Sequence, residues 1–544
     1  MKKKLRNLMA GTLALMFAGI TQNVEATHVQ GTEMNYTCAA PGVYLVKLKM
    51  YRDCSGIAAP TTASLNIKSQ GCNAGRNVTM TKVGVGVIGS PYCPQIQATC
   101  SANSLYANYE ETTFTTTVTF SPAEKQCPDW ILSWNECCRP STANLQGQGT
   151  MYTEAYLNLG SPTNPIYNNS PEFGSLVVPY VNAYQPITLS AYATDIDEDS
   201  LVYSFTTPLD NPTTSVPYNN YASILINDPD TNSTKTAMAP AGTFTATFPM
   251  HSFNVDWTQA TPVAIPYFDL NSQNGSLSFT PTAYFPNSPS NQGLNKYVTV
   301  VQVDEYRRIN GQAVKIGSIR RDMFITVMDC GPNQNPRVAN PLANGQQITP
   351  NDIITLRPGT PLNFVMAADD NNANDVLEMT SDAAQILPGA NFSVSPGNRP
   401  TGTLVWIPTA NDVSNQIYYF RVTVRDNACP VRGAQVQTFG VRVSNTGGVT
   451  ATNETIAANT SFLAYPNPFT NQVSFKFNLP AKAEKIVICN VLGQQVDQIS
   501  ISKTTTGEQH VQWQNAGKHA SGIYVARLVA AGKTVQTLKF TKLQ

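Results

Sequence analysis

The chain has 544 residues, of which 42% are hydrophobic and only 13% charged, and its formal net charge is zero. That balance excludes the basic footprint with which nucleic-acid-binding proteins neutralise phosphate. The 23 tyrosines and 21 phenylalanines exclude a disordered chain, because they supply material for real cores. Thr, Val, Tyr and Phe are abundant, 37 prolines and 34 glycines punctuate the chain at short spacing, and no long segment carries a helical apolar period. The expected fold class is therefore all-β, as tandem β-sandwich domains in series.

Lys2, Lys3, Lys4 and Arg6 form a basic start, Leu8 to Ile20 is apolar, and Val24-Glu25-Ala26 offers the small residues a signal peptidase reads. Residues 1–26 are expected to be a signal peptide and Thr27 the mature start. No later stretch reaches the ~20 continuous apolar residues of a spanning helix, so no transmembrane anchor is expected in the mature chain.

Residues 27–160 read as a disulfide-rich N-terminal β domain. Eight of the eleven cysteines, Cys38, Cys54, Cys72, Cys93, Cys100, Cys127, Cys137 and Cys138, fall there, an even number in an exported region. Eight cysteines permit about a hundred pairings, so spacing leaves the partners open. The adjacent Cys137 and Cys138 are expected to face opposite sides of a strand and to bond different partners. No Cys-x-x-Cys pairs support a zinc site. His28 to Glu33, Tyr36, the alternating stretch Tyr44 to Met50, Tyr51-Arg52-Asp53-Cys54, Cys137-Cys138-Arg139, Glu154 to Asn158 and Ser170 to Phe173 together resemble the opening domain of a group of large Bacteroidetes surface proteins. That resemblance implies a surface or adhesive setting and no particular chemistry.

Further along, the chain repeats itself loosely. Asn274-Gly275-Ser276-Leu277-Ser278-Phe279-Thr280-Pro281-Thr282 matches Thr401-Gly402-Thr403-Leu404-Val405-Trp406-Ile407-Pro408-Thr409, with Gly402 standing 127 residues after Gly275. Strong apolar stretches follow each, Val298 to Val303 and Tyr418 to Val424, and each unit closes with another, Phe324 to Met328 or Phe439 to Val443. A repeat of this length is one domain, so sandwiches are expected over 161–332 and 333–445. Each repeat has an acidic loop upstream: Asp195, Asp197 and Asp199 in the first, Asp369, Asp370 and Asp375 in the second. The pattern resembles bacterial cadherin-like and Ig-like modules, in which acidic loop residues often coordinate calcium. The physical reason stands beside the resemblance, since three carboxylates at alternate positions repel one another unless a hard cation or solvent screens them. Asp195, Asp197 and Asp199 are accordingly the expected calcium ligands; the second loop departs further from that spacing and is expected to be unmetallated. Cys330 and Cys429 end the two units and either pair with each other or stay single thiols.

Asn445 to Ser461 is polar and reads as a linker, assigned to 446–461. The remainder reads as a small β-sandwich over 462–544: Val473, Phe475 and Phe477 alternate at period two, Ile486 to Cys489 form an apolar run, Gly493 turns the chain, and Val511, Trp513, Ile523, Val525, Val535, Leu538 and Phe540 supply further strands. Pro466-Asn467-Pro468-Phe469, Leu492-Gly493 and Gly522-Ile523-Tyr524 resemble, in order, the motifs of the type A C-terminal sorting domain of the Bacteroidetes type IX secretion system. That resemblance implies an outer-membrane translocon as partner, removal of the domain after passage, and residence outside the cell or on its outer surface. Cys489 is expected to be a buried packing thiol.

Enzyme motifs are missing from the sequence. Its four histidines are His28, His251, His510 and His519, and no His-Glu-x-x-His, Gly-x-Ser-x-Gly or phosphate-cradling glycine loop occurs. A copper-binding histidine brace at His28 fails because Thr27 would carry the terminal amine. Asp195, Asp256, Asp304 and Glu305 are generic carboxylates without a visible arrangement for glycoside hydrolysis. The expectation is a structural or adhesive surface protein without enzymatic activity. Its alternative is a carbohydrate-binding or carbohydrate-degrading accessory protein, told apart by aromatic side chains lining a cleft. The expected ligand is a surface polysaccharide, glycan or protein.

Overall fold

The computed structural model describes residues 29–542 apart from 97–98, 101–107, 175–178, 229–232, 287–292, 351, 415, 446–461, 466–468, 470–471, 480–482, 491–494, 502–506, 521 and 531–532. The expected signal peptide, the linker 446–461, His28, and Pro466, Asn467, Pro468 and Gly493 of the sorting motif lie outside the described residues. What is described is almost wholly strand, with one four-residue α-helix at Ala383–Ile386 and a few single 3₁₀ turns. Among the described residues no helix is long and apolar enough to cross a membrane. The chain forms two compact units, one taking in the residues up to Asn344 with Leu362–Ile407 and Asn415–Thr438, the other Gly345–Pro361, Pro408–Ser414 and the chain from Phe439 onward.

An eleven-stranded sheet frames the first unit. Its strands are β1 (Val29–Ala40), β2 (Val43–Asp53), β3 (Thr62–Lys68), β4 (Gly75–Gly89), β5 (Tyr109–Thr119), β6 (Asp129–Cys137), β7 (Thr150–Asn158), β8 (Tyr180–Asn182), β9 (Ser200–Phe205), β10 (Lys296–Ile309) and β11 (Gln312–Met328). Pairing runs β1-β2-β5-β4-β3-β6-β7-β11 and returns to β1, so this part closes on itself and leaves no free edge there. β2 shows why: Tyr44, Val46, Leu48 and Met50 are buried at period two, as expected from the sequence. Inside, Tyr36, Tyr44, Phe120 and Trp130 form an aromatic chain with ring centroids 5.8, 5.9 and 4.9 Å apart, and the Trp130 indole N–H donates to the Cys127 carbonyl at 2.9 Å.

β11 is the seam. One edge pairs with β10 along most of its length, while the other takes β7 at Gly317 to Ile319, β1 at Arg321 to Met323, and β8, in parallel, at Thr326 to Met328. Its far end joins a second core, where Ile325 and Val327 pack with Val181, Ile187, Phe268, Leu277, Phe279 and Tyr297 beneath a three-stranded sheet of Ile187–Ser190, Ser276–Phe279 and Phe268–Leu270. The expected boundary at residue 160 therefore does not separate two bodies, because β9, β10 and β11 belong to the sheet that β1 to β7 begin. Signals along a strand reveal its period; which earlier strand it pairs with is set by long-range register, which the sequence does not display.

The repeat read from the sequence falls on Ser276–Phe279 and Thr401–Trp406. In the first unit Arg337–Ala343, Leu362–Asp369, Thr401–Trp406 and Asn391–Val394 pair in that order, and Glu378–Ser381 pairs with Tyr418–Arg425. In the second unit Ile353–Leu356 runs parallel to Gly440–Val443. The rest of that unit is the C-terminal sandwich, with Leu463–Tyr465, Val473–Leu479 and Gly507–Trp513 in one sheet and Gln495–Ser500, Ala483–Asn490, Gly522–Ala530 and Lys533–Lys542 in the other.

The disulfides depart from the expected framework. Cys54 joins Cys100 and Cys72 joins Cys127, with Cα atoms 4.6 and 6.0 Å apart. Cys93, however, joins Cys429, far downstream, and Cys38 is a free thiol. The Cys93 segment is already docked, since its amide donates to the Pro430 carbonyl at 3.0 Å and Tyr92 bridges Val431. Cys330 thus has no claim on Cys429; its thiol lies 2.6 Å from Asn182 Oδ1, and burial pushes its pKa up to about 12. Cys137 and Cys138 bond to each other, Cα atoms 3.1 Å apart, across a cis peptide. β6 ends at Cys137, so the alternation expected to send the two thiols to opposite faces stops between them. Cys489 is a free, buried thiol.

Peptide mapping without reduction should recover Cys93 linked to Cys429 and leave Cys38 and Cys330 alkylatable after unfolding. Cys429→Ser should lower stability by about 2–4 kcal/mol. A Cys93 bonded to another N-terminal cysteine would contradict the pairing.

Candidate functional site

The loop carrying Asp195, Asp197 and Asp199 links Ala193–Thr194 to β9. β9 pairs with β10 so that Leu201 stands opposite Glu305, and the β10 register shifts between Glu305 and Tyr306. The shift leaves Ile316 as the extra residue of β11, beside Gly317, where a Cβ would land on Glu305 Oε2, so the glycine makes room for the carboxyl. Asp195, Asp199 and Glu305 each bring a carboxylate oxygen within 4.8 Å of the others. Asp197 stands apart. Its oxygens accept from the Asn169 amide at 2.8 Å and side-chain Nδ2 at 2.7 Å, and from Arg307 Nη2 at 3.2 Å. Glu305, among the generic carboxylates in the sequence, is the third carboxylate of this cluster.

Arg307, two residues on, donates from Nε to Asp199 Oδ1 at 2.9 Å and from Nη2 to Asp199 Oδ2 at 2.5 Å. Those bonds to Asp199 hold its guanidinium still more firmly protonated. Deeper in, compensation runs out. Glu305 is fully buried; Asn168 Nδ2 donates to its Oε2 at 2.6 Å, but its Oε1 and Asp195 Oδ2 are buried without a hydrogen-bond donor. Burial first, and then the facing Asp195 carboxyl, pushes Glu305 up to about 11; burial pushes Asp195 up as well. Metal-free, the pair holds a proton between its two carboxyls, and a hard divalent cation would take that proton's place.

A second acidic cluster brings Asp370, Asp375 and Asp426 to the same mutual distance. Asp369, grouped with this loop in the sequence, points elsewhere and pairs with Arg337 at the surface. Both clusters offer oxygen donors only, the chemistry of a hard cation.

The remaining candidates are engaged in structure. Asp256 caps its own turn through the Thr258 amide at 3.0 Å and hydroxyl at 2.6 Å, and Asp304 pairs with Lys315 at 2.7 Å. His251 is buried among the rings of Tyr221, Phe244 and Tyr297, and burial lowers it to about 4, so it is neutral at physiological pH. A cleft of ≈ 1050 Å³ lies in the first unit, with Tyr184, Trp257, Tyr284 and Phe285 on its walls beside the amides of Asn254 and Asn335.

The C-terminal sandwich is built on Phe462, Phe469, Phe475, Phe477, Trp513, Tyr524 and Phe540. Phe469, the last residue of the proline motif, bridges Lys542 and stacks on Phe540 at 5.8 Å. Tyr524 packs on Trp513 at 5.5 Å while its hydroxyl donates to the Ala520 carbonyl at 2.6 Å. Gly522 and Ile523 open that strand. His510 and His519 belong to this domain, where His519 lies against Trp513.

Glu305 carries a proton in the folded metal-free protein and loses it in the unfolded chain once pH passes the ordinary glutamate range. The folded state then holds the extra proton, so stability present at low pH is lost as pH rises above the ordinary glutamate range. Chelator-treated Glu305→Gln should flatten that slope between pH 5 and 9 in thermal melts. Equal slopes in variant and wild type would contradict the protonated pair.

Comparison with curated proteins finds no match. Among solved structures the chain is similar to dimeric latent PorU from Porphyromonas gingivalis, at 13% identity and TM-score 0.20 over 68% of this chain and 32% of that one, so it spans about a third of PorU's length. It is also similar to the N-terminal four Ig domains of Dscam1 (10%, TM-score 0.15, 95% of this chain and 99% of that one). A third likeness is to a Ca²⁺-stabilized adhesin with which an Antarctic bacterium binds ice (10%, TM-score 0.14, 95% and 98%). The family whose model matches is the secretion system C-terminal sorting domain, over residues 463–542. That C-terminal match to a type IX sorting domain indicates export to the cell surface or the extracellular space.

Proposed function

We propose that this chain is a non-enzymatic surface protein: a β scaffold that the sorting domain delivers through the type IX translocon and that serves a structural or adhesive role. The sorting domain at 463–542 carries the reading, because it fixes the destination. Each carboxylate that sequence reading offered for catalysis is held in an ion pair, a turn or a buried pair, which supports a role other than hydrolysis. Calcium at Asp195, Asp199 and Glu305 stiffens the scaffold by tying the 195–199 loop to β10. Asp197 orients the loop through Asn169 and Arg307.

The cleft favours a second reading, in which the ligand is a glycan. Aromatic faces beside side-chain amides suit sugars, whose C–H faces stack on rings while their hydroxyls take hydrogen bonds. Tyr184 is 57% exposed there, so a ring is available to a ligand.

Deleting residues 462–544 should leave the protein inside the cell, and intact mass of the exported form should show loss of 1–26 and of a fragment beginning within 446–461. Secretion that persists without the domain would overturn the delivery mechanism. Calcium at a hundredfold over its dissociation constant should stabilise the exported protein by about 2.7 kcal/mol per site, with the Asp195 site's share abolished by Glu305→Gln and only weakened by Asp197→Ala. On a glycan array, any hit made through the cleft should fall at least tenfold in Trp257→Ala; an array without hits would leave adhesion to protein as the function.

A further inference from the structure

We infer that Asn333, Asp370, Asp375 and Asp426 form a second divalent-cation site, fitted to calcium, which clasps the segment 329–336 to the loops of the module that follows it. The four residues come from three separate stretches of chain. Asn333 lies between β11 and Arg337–Ala343, Asp370 and Asp375 lie after Leu362–Asp369, and Asp426 follows Tyr418–Arg425. The topology nevertheless brings the three carboxylates within 4.8 Å of one another. Asn333 joins them by donating from Nδ2 to Asp426 Oδ2 at 3.0 Å.

Asp426, fully buried, takes the amides of Ala428 at 3.0 Å and Gly433 at 2.8 Å on Oδ1. Asp370 takes the Asn372 amide on Oδ1 at 2.8 Å. That leaves Asp370 Oδ2, Asp375 Oδ2 and Asn333 Oδ1, all buried and all without a donor. Asp370 is 7% and Asn333 8% exposed, so solvent does not replace the lost hydrogen bonds. Three orphaned acceptors in one small space, beside a third carboxylate, ask for positive charge.

The protein does not supply it. Arg399, the adjacent cation, spends its guanidinium on main-chain carbonyls, those of Asp375, Asn398 at 3.2 Å, Asp370 at 3.3 Å and Asn372 at 2.7 Å. Arg432 likewise donates to the Asp426 carbonyl at 2.6 Å and pairs with Glu378. Among the described residues no Lys or Arg makes an ion pair with Asp370, Asp375 or Asp426, whereas at the first cluster Arg307 bonds Asp199 directly. Burial raises both Asp370 and Asp426, the direction expected of carboxyls awaiting a counter-charge. The two arginines instead bond the backbone of the loops that carry the carboxylates. Four oxygen donors without nitrogen or sulfur suit calcium, which accepts about six to eight oxygens in flexible geometry and fills the remainder with carbonyls and water.

Occupancy has a mechanical consequence. Gln185 bonds the Asn333 carbonyl and the Asn335 amide, so this segment is already fastened to the core that contains β11. A cation held by Asn333 on one side and by the 370–375 loop and Asp426 on the other ties that core to the next one. Asp426 also lies three residues from Cys429, whose disulfide reaches back to Cys93, so cation and covalent bridge reinforce the same junction.

The test is calcium titration calorimetry on the exported protein after chelation, with Asp375→Asn, Asp370→Asn and Glu305→Gln beside wild type. Both aspartate variants should lose one binding event or weaken it at least tenfold, while Glu305→Gln keeps that event. Their metal-free melting should match metal-free wild type, which separates lost binding from misfolding. Hydrogen exchange over 329–336 and 369–376 should slow at least tenfold when calcium is added to wild type and stay unchanged in the variants. An isotherm unaffected by both Asp375→Asn and Asp370→Asn, or exchange in wild type that ignores calcium, would overturn the site. An event lost in Glu305→Gln but retained in both aspartate variants would support the first cluster and overturn this one.

Discussion

Everything in the first unit depends on one buried ionic strand. β11 carries Arg320, Arg321 and Asp322 in succession, 3%, 1% and 0% exposed, where an apolar run would be the ordinary solution. Each meets a specific partner. Arg321 stands directly across from Glu33 on β1, donates to its carboxylate from Nε at 2.6 Å, and lies over the Phe173 ring at 4.2 Å. Asp322 pairs with the equally buried Arg139, and Arg320 donates to the Thr207 carbonyl at 2.6 Å. Pairs of this kind add little net stability over apolar packing, but an uncompensated partner costs about 3–5 kcal/mol. A one-residue slip of β11 would strand these charges, and that penalty specifies register for the strand on which the closed sheet and the neighbouring core both depend.

The two acidic clusters face the same difficulty, like charges gathered out of water, and the fold answers it differently at each. Around Asp195 and Glu305 it offers a proton between the inner carboxyls and a guanidinium on the outer ones, so the site has a defensible metal-free state whose cost grows with pH. Around Asp370, Asp375 and Asp426 it offers no guanidinium, and burial raises Asp370 and Asp426. Arginines there secure the backbone, and the inner oxygens are left without donors. One cluster thus has an arginine on its outer carboxylates, the other leaves three buried acceptors without a donor.

Strand content was legible because burial at period two is written residue by residue: Tyr44 to Met50, and Val473, Phe475 and Phe477, alternate in the sequence and in the fold. The sorting domain was legible for a stronger reason, since its punctuation stands in fixed order within one short segment and matches its family over 463–542. Features made by distant pairings were not. Glu305 joins Asp195 only through the β9–β10 register and a bulge in β11 beside Gly317. Asp426 and Asn333 join the 370–375 loop from stretches whose spacing says nothing of their meeting. Cys93 meets Cys429 beside the Tyr92–Val431 bridge, between stretches far apart in the chain, and Cys137 meets its neighbour where β6 ends.

In the proposed scaffold, calcium completes the buried carboxylates after export. Native mass spectrometry of the protein recovered from the culture medium, desalted without chelator, tests this most directly. The expected mass exceeds that of the processed polypeptide by two calcium ions per chain, both lost on chelation. A chain at its metal-free mass, indifferent to chelator, would contradict it.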